Sequence, residues 1–237
     1  MKMTKIINAA YIMIGDEILS GRTKDENLNF LAINLTNLGI NLKEVCVIPD
    51  NEQKIIESIK ELKNQYHYIF TTGGIGPTHD DITIDAIAKA LNDKIILNQK
   101  AHQILIDYYG SDNVNEARLK MAKLPSKAKL LNNPVTSAPG FMVENIIVMA
   151  GVPKIMRAMF NSSLEFLDFG DKILSKEISL NVTESVIAKD LTKLQNNFPN
   201  VAIGSYPFIG GTAIVFRSFD ENQIRQCYDI ISNKNYE

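Results

Sequence analysis

Tyr68-Ile69-Phe70 runs into Thr71-Thr72-Gly73-Gly74-Ile75-Gly76-Pro77-Thr78-His79-Asp80-Asp81-Ile82-Thr83, and that passage decides the fold. Its first residues are a short apolar run of strand character. Beyond it Ile84, Ile87, Ala88 and Leu91 recur with helical spacing. A strand therefore passes through a Gly-rich loop into a helix. Three glycines within four residues permit positive φ and let a ligand approach the backbone closely. The amides of such a loop, with the helix that follows, make a ready anion site. A Rossmann fingerprint is excluded because His79 stands where the third glycine belongs, and no Lys-Ser/Thr pair follows to make a Walker A loop. The plainer alternative is a tight turn with Thr78 as the helix N-cap and acidic residues favoured by the dipole.

Working outward, the same alternation repeats. Ala9 to Ile14 is a near-continuous apolar run ending at Gly15, and Leu28, Leu31, Leu35 and Leu38 mark a helix that stops at Gly39. Ile40 to Ile48 is a strand closed by Pro49, and Ile55, Ile59 and Leu62 give the next helix face. Residues 98–124 read as helical with a break near Gly110-Ser111-Asp112, and residues 132–140 as a loop. Ile146-Ile147-Val148-Met149 is a strand, followed by Gly151-Val152-Pro153 and a helix bearing Ile155, Met159 and Phe160. Alternating strands and helices imply βαβ units, a three-layer α/β/α arrangement and a mainly parallel sheet. Ligands then belong in the loops at the carboxyl ends of the strands. After about Phe169 the pattern changes to a half-exposed strand, a helix, two strands flanking Gly210-Gly211 and a last helix from about Glu221. The expected division is residues 1–169 and a small βαββα module over 170–237.

Composition bounds the function. The chain has 237 residues, 45% hydrophobic and 22% charged, with 25 Lys+Arg against 27 Asp+Glu and a net charge of -2. That balance argues against a dominant electrostatic grip on nucleic acid or acidic membranes. The two cysteines, Cys46 and Cys227, exclude a disulfide framework or a Cys-rich metal site. No apolar run approaches the roughly 20 residues that span a bilayer, and Met1-Lys2-Met3-Thr4-Lys5 leads into no signal-peptide cleavage pattern. The expectation is a soluble, reduced, cytoplasmic protein that handles a small molecule. His67 and His102 lack ligand partners at useful spacing, whereas His79 is a candidate phosphate contact, with a solvent-facing loop residue as the alternative.

Asp80 and Asp81 bring carboxylates beside a phosphate-binding loop, where they repel phosphate unless a cation lies between. Hard oxygen ligands suit Mg²⁺, which keeps waters and binds substrate phosphates. Asp16 and Glu17 follow the first strand and Asp50 the second. In a parallel sheet these loops share an edge with the Gly73 loop, so Asp16, Glu17, Asp50 and Asp81 are expected to converge; capping is the alternative role for each.

Several motifs together resemble one family. Ile14-Gly15-Asp16-Glu17-Ile18-Leu19-Ser20-Gly21 with Asp25-Glu26-Asn27, the Thr71–Thr83 passage, Asn133-Pro134 with Ala138-Pro139-Gly140-Phe141, and Gly151-Val152-Pro153 resemble the CinA-like (competence/damage-inducible protein A) branch of MoaB/Mog-type molybdopterin-binding domains. Thr183-Glu184-Ser185 and Ile203-Gly204-Ser205-Tyr206-Pro207 resemble the small module that follows in that branch, and the same kind of domain occurs in some eukaryotic FAD synthases. The resemblance implies the MoaB/Mog-like fold. It also implies a hydrolase that cleaves the diphosphate of ADP-ribose or a related nucleotide with Mg²⁺ or Co²⁺, K⁺ being a candidate companion. The alternatives are a molybdopterin-binding or adenylyltransferase role in molybdenum cofactor biosynthesis, and a non-catalytic pterin or nucleotide binding module.

By the same resemblance Asp81, Asp50 and Glu17 are the catalytic residues and Asp16, Asp50 and Asp81 the metal ligands. Thr72, Gly73, Gly74, Gly76 and Asn27, with Ala138, Pro139, Gly140, Gly151 and Pro153, surround the substrate. A homo-oligomer, dimer or trimer, is implied, as is a stand-alone form without the amidase domain of longer relatives. Thr136 and Ala150 depart from the pattern, which usually has glycine and proline there.

Overall fold

Apolar residues on both faces drive Ile7–Ile14 (β1) to the middle of a sheet, where all but Asn8 are buried. The computed structural model describes residues 4–236; Met1, Lys2 and Met3 of the amino-terminal reading lie outside the described residues. Asp16–Leu19 (α1) and Asn27–Asn37 (α2) follow, then Ile40–Ile48 (β2), Glu52–Leu62 (α3), Tyr68–Thr72 (β3) and Thr83–Leu91 (α4). Asn51 caps α3 by accepting from the Lys54 N–H, and Asn92, at φ 52, ends α4 in the left-handed region. Next come Ile95–Leu97 (β4), Gln99–Tyr109 (α5), a 3₁₀ turn at Ser111–Asn113, Glu116–Lys120 (α6) and Lys123–Pro125 (β5). Lys129–Leu131 (β6), Gly140–Val143 (β7), Ile146–Met149 (β8) and Pro153–Ser163 (α7) complete the unit Ile6–Gly170.

The main sheet has the order β2-β1-β3-β8-β7-β6. β2, β1, β3 and β8 are parallel; β7 runs antiparallel to both β8 and β6. The β1–α2–β2 crossover moves one way along the sheet and β2–α3–β3 returns the other, so right-handed crossovers put α2 and α3 on opposite faces. α7 shares the α2 face, where the Phe30 and Phe160 rings meet edge-on at 5.5 Å, and α4 packs on α3. This is the expected three-layer arrangement. Because the four parallel strands end together, the loops after β1, β2, β3 and β8 lie along one edge.

The reading of residues 98–124 as helical needs correction at its end. Lys123–Pro125 pairs antiparallel with Ile95–Leu97 in a separate two-stranded sheet. Pro125 disfavours the helical region at Leu124, and it has no N–H to continue a helix.

Residues from Asp171 onward, with Thr4 and Lys5, form the second unit. Leu174–Leu180 (β9), Glu184–Asn197 (α8), Ala202–Phe208 (β10), Gly211–Ser218 (β11) and Glu221–Ser232 (α9) build an antiparallel sheet in the order β10-β11-β9. Its own core contains Ile187, Leu194, Ile214, Phe216, Ile224 and Cys227. Among the described residues, no helix is long and apolar enough to cross a membrane.

Candidate functional site

At the end of β3 the chain must turn in almost no space. Gly73 has φ 102, and a Cβ there would strike the carbonyl oxygen of Ile14 at the end of β1. Gly74 has φ 64, and its Cβ would strike the Thr83 hydroxyl. Both positions demand glycine for backbone conformation and for space. The Gly73 N–H donates to Met149 O at 3.1 Å and the Thr83 N–H to Gly74 O at 3.0 Å, so the loop is tied to β8 and to α4. Among the described residues, the buried Thr71 and Thr83 hydroxyls find no hydrogen-bond partner.

Thr78 is not the cap of α4. The helix begins five residues later, at Thr83, preceded by Ile82 with no side-chain cap. Instead Asp81 Oδ2 accepts from the Thr78 N–H at 2.8 Å and from its hydroxyl at 2.5 Å, closing a turn of its own ahead of the helix. A Cβ on Gly76 would lie 2.6 Å from that same Oδ2. Among the described residues no hydrogen bond reaches Asp81 Oδ1.

The loop borders a cleft of about 450 Å³. Of the residues expected around a substrate, Gly74, Gly76, Ala138, Pro139 and Gly151 line it, and so does Asp81. The others stand behind it. Thr72 is buried, its hydroxyl 2.7 Å from the Tyr11 hydroxyl; burial pushes the Tyr11 phenol far up, against the pull of that hydrogen bond. Asn27 is also buried and gives its Nδ2 to Gly151 O at 2.8 Å, so it braces the wall from outside the cleft. Gly140 lies in β7, where a Cβ would meet Val148 O at 2.6 Å, and Pro153 opens α7.

Both departures from the resembled pattern face the cleft. Asn133 organises their neighbourhood: its Nδ2 donates to Thr136 Oγ1 at 2.7 Å and to Ala138 O at 2.8 Å, while its Oδ1 accepts the Val135 N–H at 3.1 Å. The left-handed residue of this loop is Ser137, φ 61, so Thr136 has ordinary backbone and its side chain is accommodated. Ala150 gives its N–H to Met159 Sδ at 3.3 Å, a contact that proline could not make.

Sequence reasoning missed, among other cleft residues, Tyr109 from α5, Arg118 from α6 and Met121 just after it. The helical periodicity of this segment was legible; nothing local marked the face that meets the cleft.

The remaining carboxylates gather on the loops after β1 and β2. Gly15 N–H donates to Ile48 O at 3.1 Å, and the Asp16 N–H to Asp50 Oδ2 at 3.0 Å, which fixes the two loops together. Glu17 folds its carboxylate back over Gly15. Burial raises the Asp50 pKa; the Asp16 N–H opposes this, and the charges of Glu17, Asp16 and Asp80 add to the rise. Of the expected metal ligands Asp16, Asp50 and Asp81, the first two are joined through their loops. Among the described residues no three His, Cys, Asp or Glu side chains are arranged to hold a metal ion. Thr78 holds Asp81 Oδ2 within its own loop, while Asp16, Glu17 and Asp50 gather, with Asp80 near enough to be felt. Such a group still suits an ion of the Mg²⁺ kind, which takes one or two carboxylates and fills its shell with water and substrate phosphate.

Residues 10–168 match the family described as "probable molybdopterin binding domain", and residues 172–235 match "FAD synthase, middle domain". A protein of Archaeoglobus fulgidus is 32% identical over 216 residues, covering 91% of this chain and 93% of its own. A CinA-like protein of Flavobacterium psychrophilum is 30% identical over 235 residues, 92% of this chain and 56% of that longer protein. The crystal structure of CinA from Thermoplasma acidophilum, a protein described as of unknown function, matches 68% of this chain and 98% of its own at 31% identity with a TM-score of 0.65.

Proposed function

The chain belongs to the molybdopterin binding domain family, in a CinA-like form, and we propose that it is a divalent-metal-dependent pyrophosphatase cleaving the diphosphate of ADP-ribose or a related nucleotide. One observation carries the reading: the Gly73–Gly76 loop has a ligand-sized cleft on one flank and gathered carboxylates on the other. A diphosphate lying over the loop meets close backbone, and glycine leaves no side chain in its way. Asp50 and Glu17 are the residues that would hold a Mg²⁺ or Co²⁺ ion. The ion supplies charge neutralisation and polarisation of a phosphoryl oxygen. Asp81, with Oδ2 held by Thr78, offers Oδ1 to take the proton of an attacking water. Water and ADP-ribose then yield AMP and ribose 5-phosphate. Cleft residues Val152, Ile155 and Met159 provide apolar surface for the base.

Purified protein given ADP-ribose, FAD or NAD with Mg²⁺ or Co²⁺ is expected to release AMP from at least one of them. Asp81→Ala is expected to lower that release on the order of 100-fold or more, the scale of a lost general base. AMP release from none of the three would overturn the reading.

Molybdopterin binding, with or without adenylyl transfer from ATP, is the second reading. The family description favours it. It predicts thermal stabilisation by a pterin ligand and no turnover of the nucleotide panel.

A further inference from the structure

Among the described residues that line the cleft, Arg118 is the one cation and Asp81 the one anion. We infer that Arg118 is the anion-binding residue of this cleft and takes the phosphate of the ligand through its guanidinium. The inference deepens the pyrophosphatase reading, resting on its premise that the ligand is a phosphate compound.

Arg118 is held in place before any ligand arrives. Its guanidinium carbon lies 4.1 Å from the centroid of the Tyr109 ring, and Nη1 donates to Asn113 O at 2.6 Å. Asn113 in turn gives its Nδ2 to Tyr109 O at 2.9 Å. Tyr109, Asn113 and Arg118 thus brace one another in a closed ring of contacts across the end of α5, the 3₁₀ turn and α6. Asn115 accepts the Arg118 backbone N–H at 3.0 Å and secures the start of the short helix. A side chain so constrained loses little rotamer freedom on binding.

The charge, by contrast, is unspent. Among the described residues no carboxylate lies within ion-pair distance of Arg118, although the side chain is half-buried. A guanidinium has five N–H donors in a planar fork, and the internal scaffold uses one. The rest suit the paired oxygens of a phosphate, which a planar cation grips with two parallel hydrogen bonds. The residue also answers a problem set by the carboxylates beyond the loop, which repel an approaching phosphate. A fixed cation on the cleft wall offsets that repulsion without a metal ion.

The test uses the intact protein in EDTA, so that no divalent ion contributes, and compares inorganic pyrophosphate, AMP and adenosine by calorimetry. Wild type is expected to bind AMP at least tenfold more tightly than adenosine. Arg118→Gln is expected to lose that preference, with pyrophosphate and AMP weakened about 10- to 100-fold and adenosine unchanged, the scale of a removed charge partner. Arg118→Lys, which keeps charge and loses the planar fork, is expected to fall between the two, and unaltered melting of both variants shows that they are folded. Unchanged AMP and pyrophosphate affinity in Arg118→Gln overturns the inference, whether or not the enzyme still releases AMP. So does failure of the wild type to bind any phosphate compound in EDTA. Arg118-dependent pyrophosphate binding, with no AMP released from the substrate panel under Mg²⁺ or Co²⁺, sustains the inference while the pyrophosphatase reading falls.

Discussion

The two flanks of the Gly73–Pro77 loop are built from opposite materials. On the cleft flank, among the described residues, one carboxylate, Asp81, has its Oδ2 held by Thr78, one guanidinium is stacked on Tyr109, and apolar side chains with Asn133 and Thr136 line the remainder. On the other flank the Asp50 carboxyl feels burial and three further acidic groups, and only one backbone N–H opposes them. The first flank sets one anion and one cation on fixed scaffolds; the second crowds like charges together. The contrast follows the chain's own division of elements. The loops after β1 and β2 carry the carboxylates, whereas the loops after β3 and β8, with α5 and α6, carry the cleft. A phosphate compound that needs both a fixed cation and a recruited one would find them on opposite sides of one loop.

Gly73→Ala attacks what the flanks share, and the largest effect is expected there. Left-handed backbone and collision with Ile14 O add up, so a loss of about 3 kcal/mol or more is expected in urea unfolding. A variant as stable as wild type would mean that the loop does not join the two flanks. Asp50→Asn separates them. It is expected to cut metal-dependent AMP release on the order of 100-fold while leaving metal-free adenosine binding intact. Because the native state raises the Asp50 pKa, it binds that proton more tightly than the unfolded chain does. Ionised Asp50 therefore opposes folding at neutral pH, and the penalty fades as pH falls below both values. Asn removes it, so the melting temperature without metal is expected to rise by about 1 °C after solvent screening; a fall would contradict the crowding of charge. Thr136→Gly should have the smallest effect. It deletes the hydrogen bond from Asn133, about 1 kcal/mol, and should shift nucleotide affinity only a few-fold with the Mg²⁺ requirement unchanged.

What was legible in the sequence tracks how local its cause is. β1, β2, β3 and β8 and the helices between them announce themselves by runs of Ile, Leu and Val and by stops such as Gly39. The glycine loop was legible because positive φ and close approach leave a compositional mark. The antiparallel pieces were less so: Lys123–Pro125 finds its partner 28 residues earlier in Ile95–Leu97, and strands of three residues carry no periodicity. Thr78 has the chemistry of an N-cap, yet its contact is with Asp81 in a turn that precedes the helix. The convergence of four acidic residues was inferred from a shared sheet edge, which places loops but does not orient side chains. Arg118 and Tyr109 come together only because Gly110 and a 3₁₀ turn fold α6 back on α5, a geometry that spacing alone does not encode.

Gly151 stands against Gly73, with 3.6 Å between the Cβ it lacks and the Gly73 Cα. Two loops from neighbouring strands are thus spaced by bare backbone, a ruler without rotamers. At that point the width of the site is quantised by peptide thickness, so larger side chains at either position would act as shims that rescale the whole opening. The walls at positions 136 and 150 can therefore carry different side chains without altering the gauge between the two glycines.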